Sequence, residues 1–280
     1  MLKKEVFFME IGVLVYMNDE VEKQIKKVHD FGMKTCQLCA WDFKLFTDEM
    51  AERIMKSCKE YDVKISVFWC GWTGPAVWDF YDGPLTLGLV PVTYRFQRVQ
   101  ELQRGSDFAK QIGVDIMATH VGFIPETPNT VEYHSLINAV KAVANRCKAN
   151  GQKFIFETGQ ETPVTLRRAI EDVGTGNLGV NLDPANLILY GKANPVDALD
   201  IIGEYVMNIH AKDGLYPTDG KHLGEEVPIG EGKVNFPAFI KKLKEIGYDS
   251  YLTIEREIEG DQQIEDIKKA KVYLEELLNA

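Results

Sequence analysis

Four side chains that could bind a metal ion stand at the ends of four apolar runs in the second half of the chain. They are Glu157, Asp183, His210 and Glu255, separated by 26, 27 and 45 residues. The first two intervals fit one strand, one helix and their loops, and the third leaves room for an insertion at residues 214–235. Three carboxylates and one imidazole form a mostly oxygen ligand set, which suits Mn²⁺, Mg²⁺ or Co²⁺ better than a thiolate-rich zinc site does.

A closed parallel barrel is the arrangement that would bring these side chains together. Short buried strands that alternate with helices indicate a parallel sheet, because parallel strands need helical crossovers. The chain shows eight such strand–helix units and no linker, so we predict one domain, residues 1–280, folded as a single (β/α)8 TIM barrel. The carboxyl ends of the strands would meet at one mouth, where the four side chains could surround a common cation.

The direction of the side chains along each strand is consistent with this site. The apolar runs that predict the strands are residues 7–15, 34–40, 64–70, 115–121, 153–159, 178–184, 206–213 and 251–257. Alternate residues of a strand share a face, so Asn181 lies with Asp183, and Lys212 lies with His210. We expect these faces to point into the barrel, because a carboxylate would be costly to bury against the helices.

Long loops are predicted after strands three and seven. Residues 71–93, after strand three, contain seven Gly and Pro residues and four aromatic residues, a composition that argues against regular structure. A loop of this length is often a lid or a binding loop, and Trp72 within it is a candidate substrate contact. The alternative is an aromatic plug that packs against a neighbouring subunit.

Five motifs in the second half of the chain resemble those of a known superfamily. They are Phe156-Glu-Thr-Gly159, Asn181-Leu-Asp-Pro184, His210-Ala-Lys-Asp213, Pro228-Ile-Gly-Glu-Gly232 and Thr253-Ile-Glu255. Together they resemble the xylose-isomerase-like barrel superfamily, especially its sugar isomerase/epimerase branch, which includes the ketose 3-epimerases. The first half of the chain agrees with that superfamily only in its alternation of strands and helices.

The resemblance implies a metal site and a pair of proton-transfer residues. In that family Glu, Asp, His and Glu on strands five to eight hold one divalent metal, often manganese, and the two Glu residues also move the proton. Those roles would fall on Glu157, Asp183, His210 and Glu255. We therefore expect Mn²⁺ as the cofactor, with Mg²⁺, Co²⁺ and Zn²⁺ as alternatives, and we expect Glu157 and Glu255 to be catalytic.

The residues expected to contact the substrate depart from the ketose epimerase pattern. Those enzymes usually carry a His three residues after the metal-binding Asp, where this chain has Asn186. They also place an Arg shortly after the metal-binding His, where this chain continues with Asp213. Both positions normally contact the substrate. His120, at the end of strand four, and Lys212 are further candidates, with a structural histidine and a salt bridge as the alternatives.

These observations predict a divalent-metal-dependent isomerase or epimerase that acts on a keto sugar or its derivative. The metal would polarise a carbonyl and stabilise the bound enediolate, while Glu157 and Glu255 act as base and acid. The alternatives are a metal-dependent dehydratase or lyase of the inosose dehydratase type and a non-catalytic sugar-binding barrel.

Composition and net charge indicate which kinds of partner and which compartment to expect for the protein. A net charge of −10 without a basic run argues against nucleic-acid binding, and no apolar run is long enough to span a bilayer. Five cysteines, an odd number, favour a reducing compartment, and we expect a cytoplasmic protein. The expected partners are a small sugar and further copies of the chain, as a dimer or tetramer. Cys36 and Cys39 lie three residues apart, so on a strand they would point to opposite faces and would not form one site.

Overall fold

In residues 9–280, which the computed structural model describes, eight parallel strands close into a barrel. Each barrel strand pairs with the next one along the chain, and the last pairs with the first. The strands are β1 (Glu10–Tyr16), β2 (Thr35–Ala40), β3 (Lys64–Cys70), β4 (Ile116–Thr119), β5 (Lys153–Glu157), β6 (Leu178–Leu182), β7 (Val206–Ala211) and β10 (Tyr251–Ile254). The predicted (β/α)8 barrel is confirmed; the start of the first predicted strand, residues 7 and 8, lies outside the described residues.

Helices follow the barrel strands and form the outer layer. They are α1 (Val21–Asp30), α2 (Asp48–Tyr61), α3 (Gly83–Thr86), α4 (Val92–Gln111), α5 (Val131–Ala149), α6 (Pro163–Val173), α7 (Pro184–Leu189), α8 (Pro195–Ile202), α9 (Phe236–Glu245) and α10 (Asp261–Asn279). Short 3-10 turns occur at Phe43–Leu45 and Gly203–Tyr205.

Local sequence explains where these helices begin and end. The hydroxyl of Thr47 accepts a hydrogen bond from the backbone N–H of Met50 at the start of α2. The hydroxyl of Thr162 likewise accepts a hydrogen bond from the backbone N–H of Thr165 at the start of α6. Pro163 follows in the first turn, where a backbone N–H would have no partner within the helix, so its absence there is not destabilising. Gly174 ends α6 at φ +63°, a conformation that glycine adopts without strain.

Two segments contain structure that the sequence analysis did not predict. Strand β6 ends at Leu182, and Asp183 instead caps the short helix α7 by accepting a hydrogen bond from the backbone N–H of Asn186 at 2.9 Å. The insertion after β7 contains a small antiparallel ribbon, β8 (Asp213–Gly214) and β9 (Glu226–Val227).

The apolar core has two parts, one inside the barrel and one between the barrel and its helices. Cys39, Trp69 and Ile155 belong to the inner cluster. Cys36 belongs to the larger outer cluster, so the two cysteines of the Cys-x-x-Cys pair are buried in different layers, as the strand periodicity predicted.

The loop after β3 extends over the mouth of the barrel. The backbone N–H of Phe80 donates to the carbonyl of Lys221 in the insertion after β7, at 3.0 Å. Arg98 of α4 connects the loop to that helix. Its guanidinium donates hydrogen bonds to the carbonyls of Thr73, Pro75, Thr86 and Gly88. The two long loops therefore meet above the carboxyl ends of the strands.

Candidate metal centre

The four predicted ligands converge at the mouth of the barrel. Glu157 is the last residue of β5, Asp183 and Glu255 follow β6 and β10, and His210 lies in β7. One ligand atom from each residue can be chosen so that all four lie within 4.8 Å of one another. The distances from His210 Nδ1 are 2.8 Å to Glu255 Oε2, 3.2 Å to Glu157 Oε1 and 3.8 Å to Asp183 Oδ2.

Several buried polar atoms of this cluster lack a hydrogen-bond partner and are suited to bind a cation. Among the described residues, three buried atoms of the cluster have no hydrogen-bond partner: Asp183 Oδ2, His210 Nδ1 and Glu255 Oε2. Burying such polar atoms without a partner is costly. Because all three are electron-pair donors that converge with Glu157, the residues present suit a divalent metal ion.

His210 is oriented by polar side chains from inside the barrel. Its Nε2 lies within hydrogen-bond distance of Gln37 Oε1 and of the Asn181 amide at 3.0 Å. A proton on Nε2 that is donated to Gln37 leaves Nδ1 with its lone pair facing the cluster, the tautomer that a metal requires. Gln37, which the sequence placed at the mouth only if its strand ended early, is instead fully buried inside the barrel.

Three side chains from other elements of the barrel contact the carboxylate of Glu157. The indole N–H of Trp69 donates to Glu157 Oε2, and the Asn186 amide donates to Glu157 Oε1 at 3.3 Å. His120 Nε2 also lies 3.3 Å from Oε1. Burial alone would raise the pKa of Glu157, but the imidazoles of His120 and His210 hold that pKa well below its usual range. Glu157 is therefore a fixed carboxylate.

Lys212 balances part of the negative charge. Its ammonium group lies 3.6 Å from Asp183, 3.5 Å from Glu255 and 2.9 Å from Glu257. Burial opposes the charged form, but these carboxylates hold the pKa of Lys212 well above its usual range. Because this single ammonium is shared by three carboxylates, the cluster keeps a net negative charge that favours a divalent cation. The salt-bridge alternative for Lys212 therefore describes its contacts in the structure.

A cavity of about 780 Å³ opens from the cluster toward solvent. His120, Asn186, Glu157 and Glu255 line it. Trp72 is not among the described residues that line it, because its ring packs behind the wall, 5.3 Å from Trp41 and 6.2 Å from Trp69 between centroids.

A different tryptophan of the same loop reaches the cavity. Trp78 lines it, and its ring lies 5.1 Å from that of His120. The structure therefore favours Trp78 over Trp72 as the aromatic contact that this loop offers a ligand. Trp69 was not predicted, because it reaches the cluster from β3, a strand with no carboxylate or imidazole at its end.

Asp213 anchors the insertion and does not join the cluster. Its carboxylate accepts hydrogen bonds from the backbone N–H groups of Gly214, Gly230, Gly232 and Val234, at 2.9 to 3.1 Å. A Cβ at Gly232 would lie 2.0 Å from Asp213 Oδ1, so only glycine fits there. This explains the Pro-Ile-Gly-Glu-Gly motif as a loop folded around one buried carboxylate.

Residues 9–280 contain no helix with the length and apolarity that a membrane crossing would require.

Comparisons with known proteins agree with the fold. An uncharacterized protein of Methanocaldococcus jannaschii, MJ1311, is 25% identical over 98% of this chain and 91% of its own length. The crystal structure of a xylose isomerase domain protein from Planctomyces limnophilus superposes with a TM-score of 0.91 at 36% identity, over 96% of this chain and 97% of that one.

More distant solved structures share the barrel. A D-tagatose 3-epimerase-like protein has a TM-score of 0.74 at 21% identity, covering 97% of both chains. The probable 3-DHS dehydratase AsbF of Bacillus anthracis has a TM-score of 0.68 at 15% identity, covering 94% of this chain and 98% of its own. A family model described as "Xylose isomerase-like TIM barrel" matches residues 25–277. The chain therefore belongs to the xylose isomerase-like TIM barrel family.

Proposed function

We propose that the protein is a divalent-metal-dependent isomerase or epimerase of a keto sugar or its derivative, with Glu157 and Glu255 as the proton-transfer pair. The observation that carries the proposal is the placement of these two carboxylates. They come from β5 and from the residue after β10, strands separated in the barrel by β6 and β7, and both line the same cavity. A sugar carbon between them would be within reach of a base on one side and an acid on the other.

The metal would be held by Glu157, Asp183, His210 and Glu255. We propose Mn²⁺, because the set consists of three carboxylates and one imidazole and contains no thiolate. A divalent cation bound there would act as a Lewis acid that polarises a carbonyl oxygen and makes the neighbouring C–H more acidic.

The residues around Glu157 prepare it to take a proton. Trp69 fixes Oε2, and Asn186 and His120 flank Oε1, so the carboxylate is oriented before a ligand arrives. Glu255 lines the cavity from the other side, with Oε2 2.8 Å from His210 Nδ1, and would exchange the proton there. Returning the proton to the opposite face of the same carbon gives epimerisation, and returning it to the neighbouring carbon gives isomerisation.

The similarities support this assignment without deciding the reaction. One structural neighbour is named as D-tagatose 3-epimerase-like, and another as a probable dehydratase. The same proton abstraction followed by loss of a β-oxygen would be a dehydration. The mass of the product separates the two reactions, because isomerisation leaves it unchanged and dehydration removes one water.

The test is exchange of the substrate proton with solvent. Mn²⁺-loaded protein is incubated in deuterated water with fructose, tagatose and psicose, and deuterium incorporation and product mass are followed by NMR and mass spectrometry. We expect incorporation without a change of skeleton, and a loss of about 10²- to 10⁴-fold in Glu157→Gln and in Glu255→Gln.

The matched control is Glu257→Gln, a nearby carboxylate that pairs with Lys212 and is half exposed. Metal content is measured for each variant, so that lost exchange in a metal-loaded variant reports on the proton and not on binding of the metal. Undiminished exchange in both metal-loaded variants would contradict the proposed roles.

A further inference from the structure

We propose that the substrate is an uncharged keto sugar that carries a second sugar-like unit, and that this unit binds between α1 and α10. The inference rests on the proposed function, because it takes the keto sugar to lie against the four-residue cluster. It adds the class of the substrate, a glycoside-like molecule instead of a free or phosphorylated monosaccharide.

The cavity is longer than the metal site requires. From Glu157 and Glu255 at the barrel mouth it continues outward to Lys27 of α1 and Gln263 of α10, which both line it. The Lys27 ammonium donates to Gln263 Oε1 at 2.8 Å and so joins the two helices at the outer end. At about 780 Å³, the space is typical of drug-sized ligands, for which cavities span about 300–1,000 Å³. One monosaccharide at the cluster would leave the outer part filled only by water.

The outer part has the chemistry of a site for hydroxyl groups. Asn18, Gln24 and Gln263 line the cavity; the Asn18 oxygen and both ends of the Gln263 amide already have protein partners, which leaves the Gln24 amide and the Asn18 NH2 to bind a hydroxyl. The aromatic rings of Tyr16 and Trp41 also line the cavity. The C–H face of a sugar ring packs well on such rings, whose faces carry partial negative charge. Amides and aromatic rings together suit a neutral polyol ring.

The charges around the cavity do not suit a phosphate. In barrels of this kind, the loops after the last two barrel strands often bind phosphate. Here the loop after β10 carries acidic residues at every second position, Glu255, Glu257, Glu259 and Asp261.

The cations near this loop already have carboxylate partners. Arg256 lies between Glu226 at 3.0 Å and Asp266 at 2.9 Å, and Lys212 pairs with Glu257. A phosphate beside this loop would therefore face three carboxylates, and the ammonium group of Lys27 at the outer end of the cavity already donates to Gln263. A glycosyl unit in the same place would require no counter-charge.

A panel of fructose derivatives tests this inference by binding alone. Mn²⁺-loaded protein is titrated with fructose, with fructose 6-phosphate, and with the disaccharides isomaltulose, lactulose and turanose, which carry a hexosyl group on different oxygens of the same ketose. The signal is the fluorescence of Trp41, Trp69 and Trp78, which line the cavity, with calorimetry as a second measurement.

We expect at least one disaccharide to bind at least tenfold more tightly than fructose, and fructose 6-phosphate to bind no more tightly than fructose. Tightest binding of the phosphate, absence of any disaccharide advantage, or absence of binding by the whole panel would each overturn the inference.

The location is tested by filling the outer part of the cavity. Gln24 is half-buried on α1, so Gln24→Trp should remove the disaccharide advantage and bring the ratio of the two affinities close to one. A thermal melt checks that the variant is folded. A folded variant that keeps the tenfold ratio would show that the second unit does not bind between these helices.

This experiment is independent of the proton-exchange test. Disaccharide-selective binding without any proton exchange would contradict the proposed reaction and support the proposed binding site. Proton exchange on fructose, combined with no preference for a disaccharide, would support the proposed reaction and contradict the proposed disaccharide site.

Discussion

Glu161 is an acidic residue buried four residues after Glu157, just before α6 begins. In the structure Thr162 is the cap of α6, and Glu161 is only 3% exposed, with Oε1 unpartnered within residues 9–280. Burial raises the pKa of Glu161 to about 8, although the nearby charge of His120 acts in the opposite direction.

This buried acid predicts a pH-dependent gain of stability in Glu161→Gln. Between its unfolded pKa near 4.5 and its folded pKa near 8, the folded protein keeps a proton that the unfolded chain has lost. Wild-type stability therefore falls as pH rises through this window, by up to about 1.4 kcal/mol per pH unit. The glutamine stays neutral in both states and avoids that loss.

The measurement is urea unfolding of the metal-free protein at pH 5 and pH 8. We expect the advantage of Glu161→Gln over wild type to grow by about 2–4 kcal/mol between them. Glu132→Gln, on the exposed first turn of α5, controls for the loss of a surface carboxylate. An advantage that is the same at both pH values would show that Glu161 is ionised in the folded protein.

The four residues of the cluster could be predicted to converge because each has a local signature in the sequence. Each side chain stands at or just beyond the end of a short apolar strand, and a parallel barrel places all those ends at one rim. Gln37 and Trp69 carry no such signature, because a Gln or Trp within an apolar strand is also typical of ordinary packing. Their contacts with His210 and Glu157 depend on the curvature of the closed barrel, which brings side chains of β2 within reach of β7 and side chains of β3 within reach of β5.

At the scale of elements, the loop after β3 depends on one buried arginine. Arg98 is fully buried, and burial lowers its pKa to about 10, so it remains charged at neutral pH. Four backbone carbonyls of the loop surround its guanidinium, and the ring of Trp72 lies 5.2 Å away. The loop has little regular structure, so these contacts take the place of a sheet or helix.

We predict that Arg98→Met detaches this loop while the barrel stays folded. Four carbonyls would lose a charged donor in a buried place, and we expect a loss of stability of about 3 kcal/mol. Faster chymotrypsin cleavage at Trp78, Phe80 and Tyr81, mapped by mass spectrometry, is the specific sign. Arg104→Met on the same helix is the matched control, because Arg104 donates to a single carbonyl, that of Phe46. Equal cleavage in both variants would contradict the anchoring role.

The elements themselves were predicted well where strand and helix periodicity was unambiguous. Strand β3 has the predicted bounds, 64–70, because a run of β-branched and aromatic residues is flanked by turns. Helix α7 was not predicted, because the apolar run 178–184 also fits a strand that ends at Pro184. Asp183 followed by Pro184 is also a helix start, with a capping carboxylate and Pro in the first turn. One carboxylate therefore caps a helix and faces the cluster, a double use that sequence alone does not reveal.

For the whole molecule, we expect the cluster to couple metal binding to folding. Residues from four strands spread over a hundred positions of the chain meet only in the folded barrel, so a cation bound there stabilises the folded state alone. In the metal-free protein, a proton on His210 neutralises part of the negative charge that a bound cation would neutralise. Burial opposes that proton, but Glu255 and Glu157 hold the pKa of His210 well above its usual range. This contribution to stability is complete at low pH and is lost as pH rises through the folded pKa.

A divalent cation must displace that proton, so its stabilising effect should grow with pH. At a concentration of Mn²⁺ about 100 times the dissociation constant, the gain is about 2.7 kcal/mol, which for a chain of this size is a rise in Tm of about 5 °C. We expect the rise on adding Mn²⁺ to be larger at pH 8 than at pH 6 in calorimetric melts. Asp183→Asn should abolish most of it, whereas Asp219→Asn, at an exposed position of the insertion, should keep it. A rise that persists in Asp183→Asn, or that shrinks toward pH 8, would place the bound cation outside the cluster.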